Sequence, residues 1–237
     1  MAVRSPADFA ALTVDRENMR AVIEERVMTQ RRWMAVCFAL GSTCFFIGPF
    51  PGYAQLVGES ADAITFFAGS ILFTVGGLLQ VRLSSPGAER WAALVQSAGT
   101  LFFNVTTYRA LDTALSNPHY DRLVWRPDAF GSICFLVSGV IAYRARPADA
   151  DWTPLVNLLG CVFFGIAAVA GYVVPATGSI LALGPANFTT ALGAACFLAC
   201  ALRGLTARRP PSPTPRSARP RQRRAGTDPR AGEAARR

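Results

Sequence analysis

Long runs of apolar residues without a single charge alternate with short polar stretches along this chain. The uncharged runs cover residues 33–58, 63–81, 91–108, 129–143 and 152–202. A helix needs about 20 mainly apolar residues to cross a bilayer core of roughly 30 Å. The first three runs are each long enough for one crossing, and the last is long enough for two. The fourth run has only fifteen uncharged residues, fewer than a span usually has, and its crossing relies on Arg126, Arg144 and Arg146 reaching the interface from its ends. The pattern predicts six transmembrane helices, over 33–50, 63–81, 91–111, 128–145, 153–174 and 187–203.

A motif that begins with Trp recurs three times along these runs. It reads WMAVCFALGSTCFFIG from Trp33, WAALVQSAGTLFFNV from Trp91 and WTPLVNLLGCVFFGI from Trp152. The helix that follows each copy has its own motif, repeated at intervals of sixty-two residues: GSILF from Gly69, GSICF from Gly131 and GAACF from Gly193. Repetition at a fixed period indicates a repeated structural unit. The predicted unit is a two-helix hairpin, present over 33–81, 91–145 and 152–203.

The repeat predicts an all-α membrane protein of three parallel hairpins, related by an axis along the membrane normal. Lipid tails supply no hydrophobic drive between helices, so association depends on close packing through small residues. The predicted helix-packing positions are Gly41, Gly69, Ser70, Gly99, Gly131, Ser132, Gly160 and Gly193. The amphipathic rings of Trp33, Trp91 and Trp152 are predicted to anchor the helices at the membrane interface.

The distribution of Arg predicts the orientation of the bundle, because loops on the cytoplasmic side are enriched in positive charge. The second and fourth loops, 82–90 and 146–152, contain Arg82, Arg90 and Arg146. The first and fifth loops contain no Arg. Both chain termini are therefore predicted to lie in the cytoplasm.

A charged segment, residues 1–32, precedes the first apolar run. Its Ser5-Pro6 pair resembles a helix start. Apolar residues then recur at helical spacing: Met19, Val22, Ile23 and Val27. The segment is predicted either as a cytoplasmic amphipathic helix, lying on the membrane or under the bundle, or as a solvated linker.

The tail, residues 204–237, is rich in Arg and Pro and is predicted to be disordered, because it has too little apolar surface to bury. Residues 203–237 hold eleven Arg against two acids, which equals the whole net charge of +9. This charge predicts attraction to anionic lipid headgroups, at about 1 kcal/mol per Arg near the surface. Nucleic acid is a less favoured partner because no aromatic side chains are interleaved with the charges. The bilayer is the other predicted partner, and the sequence indicates no particular protein partner.

A set of polar residues shares one face of the third predicted helix. Gln96, Thr100, Asn104 and Thr107 follow one another at intervals of four, four and three residues. In the next copy of the motif, Asn157 stands where Gln96 stands. Two interpretations follow: a polar seam along which a small solute moves, or interhelical hydrogen bonding. We prefer the second, because no ionisable centre accompanies the seam.

No motif in the chain indicates catalysis. The sequence has no Gly-rich phosphate loop, no nucleophile turn and no metal-ligand spacing. The six Cys all lie inside predicted spans, where they are interpreted as small apolar residues. We therefore predict a protein that is not an enzyme and binds no cofactor or metal.

The GSILF run at 69–73, its counterpart at 131–135 and the Trp-led helices resemble the YrhK-like domain of bacterial membrane proteins. That domain is a two-helix membrane module of uncharacterised biochemical function. The resemblance covers residues 60–145 best and implies a multi-pass protein of the bacterial cytoplasmic membrane, without identifying any catalytic or binding residue. A structural or interaction role is expected, and the alternative is a small-solute transporter or channel that uses the polar seam.

Overall fold

The computed structural model describes residues 6–114 and 117–206, with side chains from residue 18 onward. Over this range the chain is helical, apart from loops and one isolated β-bridge between Val173 and Ile180. The helices are α1 (Pro6–Ile47), α2 (Pro51–Val57), α3 (Glu59–Leu83), α4 (Ala88–Ala110), α5 (Arg126–Arg144), α6 (Thr153–Ala170) and α7 (Leu183–Thr206). A π-helical turn, Asp121–Trp125, runs directly into α5. The all-α prediction is confirmed.

Helix α1 crosses the boundary predicted between residues 32 and 33 without a break. The N-terminal segment from Pro6 and the first apolar run therefore belong to one helix of 42 residues. α1 ends at Ile47, before Pro49 and Pro51, because proline lacks the N–H that an inner helical position needs. The chain then turns by 95° into α2.

The six long helices close into a ring. The pairs α1–α3, α4–α5 and α6–α7 pack within the hairpins, and α3 packs on α4, α5 on α6, and α7 back on α1. The contact between the first and last hairpins joins segments far apart in sequence.

Facing glycines join the two helices of each hairpin. A Cβ atom built on Gly99 would lie 3.0 Å from the carbonyl oxygen of Gly131, and one on Gly131 would lie 3.1 Å from that of Gly99. The same closeness recurs in the other hairpins: 3.0 and 3.2 Å between Gly41 and Gly69, and 3.0 Å from a Cβ on Gly193 to the oxygen of Gly160. At such distances a methyl group displaces its neighbour, so the helices approach this closely because these residues are glycines.

Fully buried small side chains lie beside these glycines. Three of them stand nine residues after each Trp, with exposures of 0%, 0% and 1%: Ser42, Thr100 and Cys161. Three more follow the glycines of the second helices, with exposures of 0%, 2% and 0%: Ser70, Ser132 and Ala194. The equivalent positions of the three hairpins thus have the same burial although their chemistry differs.

Six phenylalanines, one from each long helix, fill the centre of the ring. They are 1% to 6% exposed: Phe45, Phe73, Phe103, Phe135, Phe164 and Phe197. The three that follow the Trp residues by twelve positions form a triangle with ring centres 5.7 to 6.4 Å apart: Phe45, Phe103 and Phe164. The other three form a second triangle, with centres 5.7 to 6.3 Å apart. The triangles lie against each other, with centres 5.0 to 5.6 Å apart within each hairpin.

Four helices are long and apolar enough to cross a membrane: α3, the π-turn with α5, α6 and α7. A fifth is added if α1 from Asn18 and the bent segment α2 count as one span. Helix α4, which contains the third predicted span at 91–111, is 23 residues long but is less apolar than these helices and is not among them. Its polar face explains the difference. The structure thus has four or five of the six predicted spans as helices long and apolar enough to cross a membrane, and the crossing at α4 stays a prediction.

Candidate functional site

Two residues of the polar seam on α4, Asn104 and Thr107, form hydrogen bonds with the neighbouring helix α3. Asn104 Nδ2 donates a hydrogen bond of 2.9 Å to Thr74 Oγ1 on α3. The hydroxyls of Thr107 and Ser70 share a hydrogen bond of 2.8 Å between the same two helices. Thr100 donates instead to the carbonyl oxygen of Ser97 on its own helix, at 2.7 Å. This part of the seam therefore has the interhelical hydrogen bonds of the second interpretation.

Gln96, at the other end of the seam, lines a cavity of about 460 Å³, which we call the vestibule. It lies at the end of the ring that carries the three Trp residues, because Ala35, Ala92 and Thr153, close to them in sequence, are part of its wall. The Trp side chains themselves are 59%, 65% and 46% exposed: Trp33, Trp91 and Trp152. Aromatic side chains form the inner end of the vestibule: Phe38, Phe73 and Phe197.

Three carboxamide side chains line the vestibule: Gln80 of α3, Gln96 of α4 and Asn157 of α6. Gln96 is only 6% exposed, and its Oε1 accepts a long hydrogen bond of 3.4 Å from Ser138. Gln80 Oε1 is buried and has no hydrogen-bond partner in the described part of the chain. Most of the hydrogen-bonding capacity of these amides is therefore unused.

The two charged residues of the vestibule lie at its mouth and are exposed. Glu89 accepts a hydrogen bond of 3.2 Å from the backbone N–H of Ser85. The guanidinium carbon of Arg146 lies 3.6 Å from the centre of the Tyr143 ring. Both contacts are local, and the deeper lining carries amide, hydroxyl, thiol and apolar groups without formal charge.

Beside the mouth of the vestibule, an ion pair connects the two ends of the third hairpin. Asp151 Oδ2 lies 3.2 Å from Arg203 Nε on α7, and Asp151 Oδ1 accepts a hydrogen bond of 3.0 Å from the backbone N–H of Thr153, where α6 begins. The hydrogen bonds from Thr153, together with the nearby charge of Arg203, lower the pKa of Asp151. The contact joins the start of α6 to the end of α7.

The opposite end of the bundle has its own contacts. Trp125, in the π-turn, donates a hydrogen bond of 2.8 Å from Nε1 to the carbonyl oxygen of Ala168, and its ring meets that of Tyr172 edge to face at 5.0 Å. Asp121 pairs with Arg126 at 2.8 Å. The Trp125 hydrogen bond connects the π-turn before α5 to α6 at the end away from the vestibule, whereas the ion pair is local to the π-turn and the start of α5.

Sequence reasoning identified Gln96 and Asn157 but missed Gln80. A signal for it was present, because Gln80 is the one side-chain amide in the uncharged run 63–81. Cys200 also lines the vestibule. Within residues 18–114 and 117–206, no group of three His, Cys, Asp or Glu residues could hold a metal ion.

No family model, curated protein or solved structure matches this chain.

Proposed function

We propose that the chain is a multi-pass protein of the bacterial cytoplasmic membrane with a structural or interaction role and no enzymatic activity. Four or five of its helices have the length and apolarity of membrane spans. Large apolar side chains on the outer faces of four helices are 56% to 66% exposed: Leu78, Leu101, Ile133 and Val169. In water such a surface promotes association, whereas in a bilayer it contacts lipid.

The recurrence of the same contacts supports three parallel hairpins and a sixth crossing at α4. In every hairpin two glycines face each other, and two phenylalanines reach the central cluster. α4 packs between α3 and α5, both of which are apolar enough to span. Since Phe103 of α4 meets rings from other helices at the centre of the ring, α4 runs through the same layer as its neighbours.

The filled centre of the ring is the observation that carries the structural or interaction role. Six aromatic side chains occupy the space that a conduit would need. The seam does not bypass them, because Asn104 and Thr107 already bond α3. A bundle packed in this way resembles a dry protein core more than a pore.

The vestibule favours a second candidate function, a small-solute transporter. It brings together Gln96 and Asn157, which the sequence had placed on equivalent positions. A solute entering there would meet the aromatic cluster, so transport requires a second conformation in which these rings separate.

Two further parts of the proposal rest on the sequence alone. One is the kinship with the YrhK-like domain. The other is attraction of the Arg-rich tail to anionic lipid headgroups. Residues 207–237 lie outside the described residues, as do the side chains of residues 1–17.

Solute flux into vesicles separates the two candidate functions. Purified protein is reconstituted into liposomes, and uptake of labelled uncharged, cationic and anionic solutes is compared with that of protein-free vesicles. The structural role predicts no excess flux for wild type or for Asn104→Leu. Flux above background that Asn104→Leu abolishes would establish the transporter and overturn the structural role.

A further inference from the structure

We propose that the vestibule is a binding site for a small uncharged solute that carries both hydrogen-bond donors and acceptors. This inference goes beyond the structural or interaction role, which would hold equally for an empty vestibule. It depends on that role only in taking the folded bundle to be the form present in the membrane.

The first argument is the unused capacity of the three amides. On the same helix as Gln96, the side-chain amide of Asn104 donates a hydrogen bond of 2.9 Å to Thr74 on α3. In the vestibule, Gln80 Oε1 is buried without a partner and Gln96 has only the long contact with Ser138. Asn157 makes no side-chain hydrogen bond to another described residue. Buried polar groups without partners cost free energy, and a ligand that supplies the partners recovers it.

The second argument compares equivalent positions in the three hairpins. The residue five positions after each Trp lines the vestibule in every copy: Phe38, Gln96 and Asn157. The residue seven positions after each central Phe of the second helices does so too: Gln80, Ala142 and Gly204. Since Phe, Ala and Gly satisfy the packing at these positions, the fold does not require amides there. The three amides stand where the repeat tolerates apolar residues, and all of them line one cavity.

The third argument concerns the charge of the solute. The deep lining has no ionised group, and Glu89 and Arg146 lie at the mouth, each with a local partner. An ion inside would lose hydration without gaining a counter-charge, which is costly. A carboxamide offers two N–H donors and a carbonyl acceptor. The site therefore fits a neutral molecule with both kinds of hydrogen-bonding group.

Size and shape support the same conclusion. A cavity of about 460 Å³ lies within the range of roughly 300–1,000 Å³ found for small-molecule sites. Small side chains leave the space open: Ala35, Ala92, Ala142, Ala145, Ala201 and Gly204. The rings at the inner end offer a surface for an apolar face of the solute. An amide-edged heterocycle and a polyol share this chemistry.

Binding is tested by thermal unfolding of the full-length protein in nanodiscs, with uracil and mannitol as neutral probes and choline and acetate as charged ones. A ligand that binds only the folded state raises the melting temperature. We expect uracil, mannitol or both to raise it, and the charged probes to leave it unchanged. A shift with uracil alone identifies an amide edge, and a shift with mannitol alone identifies hydroxyl groups. Gln96→Leu should abolish the shift. Asn104→Leu is the control: it removes a side-chain amide from the same helix, but at a position outside the vestibule, and should leave the shift unchanged.

Protection of Cys200 gives a second measurement that is independent of stability. In a variant whose other five Cys are replaced by Ala, a thiol-specific methanethiosulfonate reagent should modify Cys200 through the vestibule. A neutral probe at ten times its dissociation constant should slow this modification about tenfold, and Ala142→Leu, which narrows the cavity, should weaken the protection.

Three results would overturn the proposal: no shift and no protection with either neutral probe, the same shift in Gln96→Leu as in wild type, or equal shifts with charged probes. None of these bears on the structural role, which fails separately if the vesicle assay shows flux.

Discussion

At the scale of single residues, the bundle depends on positions that have no room for one more carbon atom. Gly160 and Gly165 lie on the same helix and differ in this respect. A Cβ on Gly160 would lie 2.7 Å from the ring of Phe197 and 3.1 Å from Cys196 Cβ, whereas one on Gly165 would meet nothing within 4 Å. Phe197 is packed among other rings and has little freedom to move. Comparing substitutions at Gly160 and Gly165 therefore distinguishes the effect of close packing from the effect of the low helix propensity of glycine.

We predict that Gly160→Ala destabilises the protein by about 1–3 kcal/mol, the usual range for overpacking a filled core. Gly165→Ala should be neutral or stabilise by up to about 1 kcal/mol, because Ala is the better helix former. Unfolding in mixed detergent micelles measures both. Equal effects of the two substitutions would show that the close approach of α6 and α7 is not needed.

A second residue-scale prediction uses two serines at equivalent positions of the first and second hairpins. Ser70 bonds Thr107 on α4, whereas the buried hydroxyl of Ser132 has no partner among the described residues. Ser70→Ala should cost about 0.6–1.7 kcal/mol, as interhelical hydrogen bonds in membranes do. Ser132→Ala should be neutral or stabilising, because it removes an unsatisfied polar group. The same unfolding assay tests the contrast, and a larger loss for Ser132→Ala would contradict it.

At the scale of helices, the sequence allowed good predictions where a sequence pattern recurs, and poorer ones where the boundary of a helix depends on the segments next to it. Charge-free runs and Trp-to-Gly spacing were sufficient for the all-α fold. The continuation of α1 from Pro6 was not predicted, because the charge pattern suggested a boundary at residue 33. The fourth span has the shortest uncharged run of the six, yet its helix begins early, at Asp121, and is long enough to cross. Helix α4 shows the reverse: its uncharged run predicted a span, but the polar face of the helix lowers its mean hydropathy.

The vestibule could not be predicted from sequence because it depends on which helices become neighbours. Gln80, Gln96 and Asn157 lie on α3, α4 and α6, one in each of the three hairpins, and only the closed ring brings them around one space. Asn104 and Thr107, which share a predicted face of α4, both bond α3, and these partners could not be read from the chain.

The ion pair between Asp151 and Arg203, which connects the start of α6 to the end of α7, leads to a prediction about the pH dependence of stability. The pKa of Asp151 is lowered in the folded state by its hydrogen bonds with Thr153 and the charge of Arg203. A lowered pKa means that the carboxylate stabilises the fold above the unfolded value of about 3.9 and that this stabilisation is lost as the pH falls through the folded pKa. Asp151→Asn should therefore lower the melting temperature at pH 7, and this effect should shrink as the pH falls below the unfolded value of about 3.9.

A matched control is Asp149→Asn, which removes an exposed charge from the same loop without removing an ion pair present in the described range. The effect of Asp151→Asn should also shrink in high salt, because the pair is partly exposed. An effect of Asp151→Asn that is independent of pH would refute the electrostatic account.

At the scale of the whole molecule, the ring is closed at its centre and open at one end. In the threefold repeat that we propose, the two triangles of Phe side chains come from equivalent residues that meet at the centre of the ring. The chemistry of the open end departs from the repeat, with amides in place of apolar residues. On this proposal, the repeated positions form the packed core, and the departures from the repeat mark the candidate site.

The number of crossings is the prediction on which the whole architecture depends, and helix α4 decides it. Ser85 and His119 are exposed and lie on either side of α4 in sequence. If α4 crosses the bilayer, as we propose, cysteines introduced at these two positions lie on opposite sides of the membrane. In a variant without native Cys, an impermeant maleimide added to intact cells should label His119→Cys, whereas Ser85→Cys should react only after lysis, because Arg82 and Arg90 favour the cytoplasmic side.

Thr177→Cys, in the loop between α6 and α7, serves as the control and should behave like His119→Cys. Labelling of Ser85→Cys and His119→Cys from the same side would mean that α4 does not cross. Phe103 could not then meet Phe135 and Phe164 in mid-bundle. The ring of three parallel hairpins and the vestibule at its end would both be lost, since each needs α4 in the same layer as its neighbours.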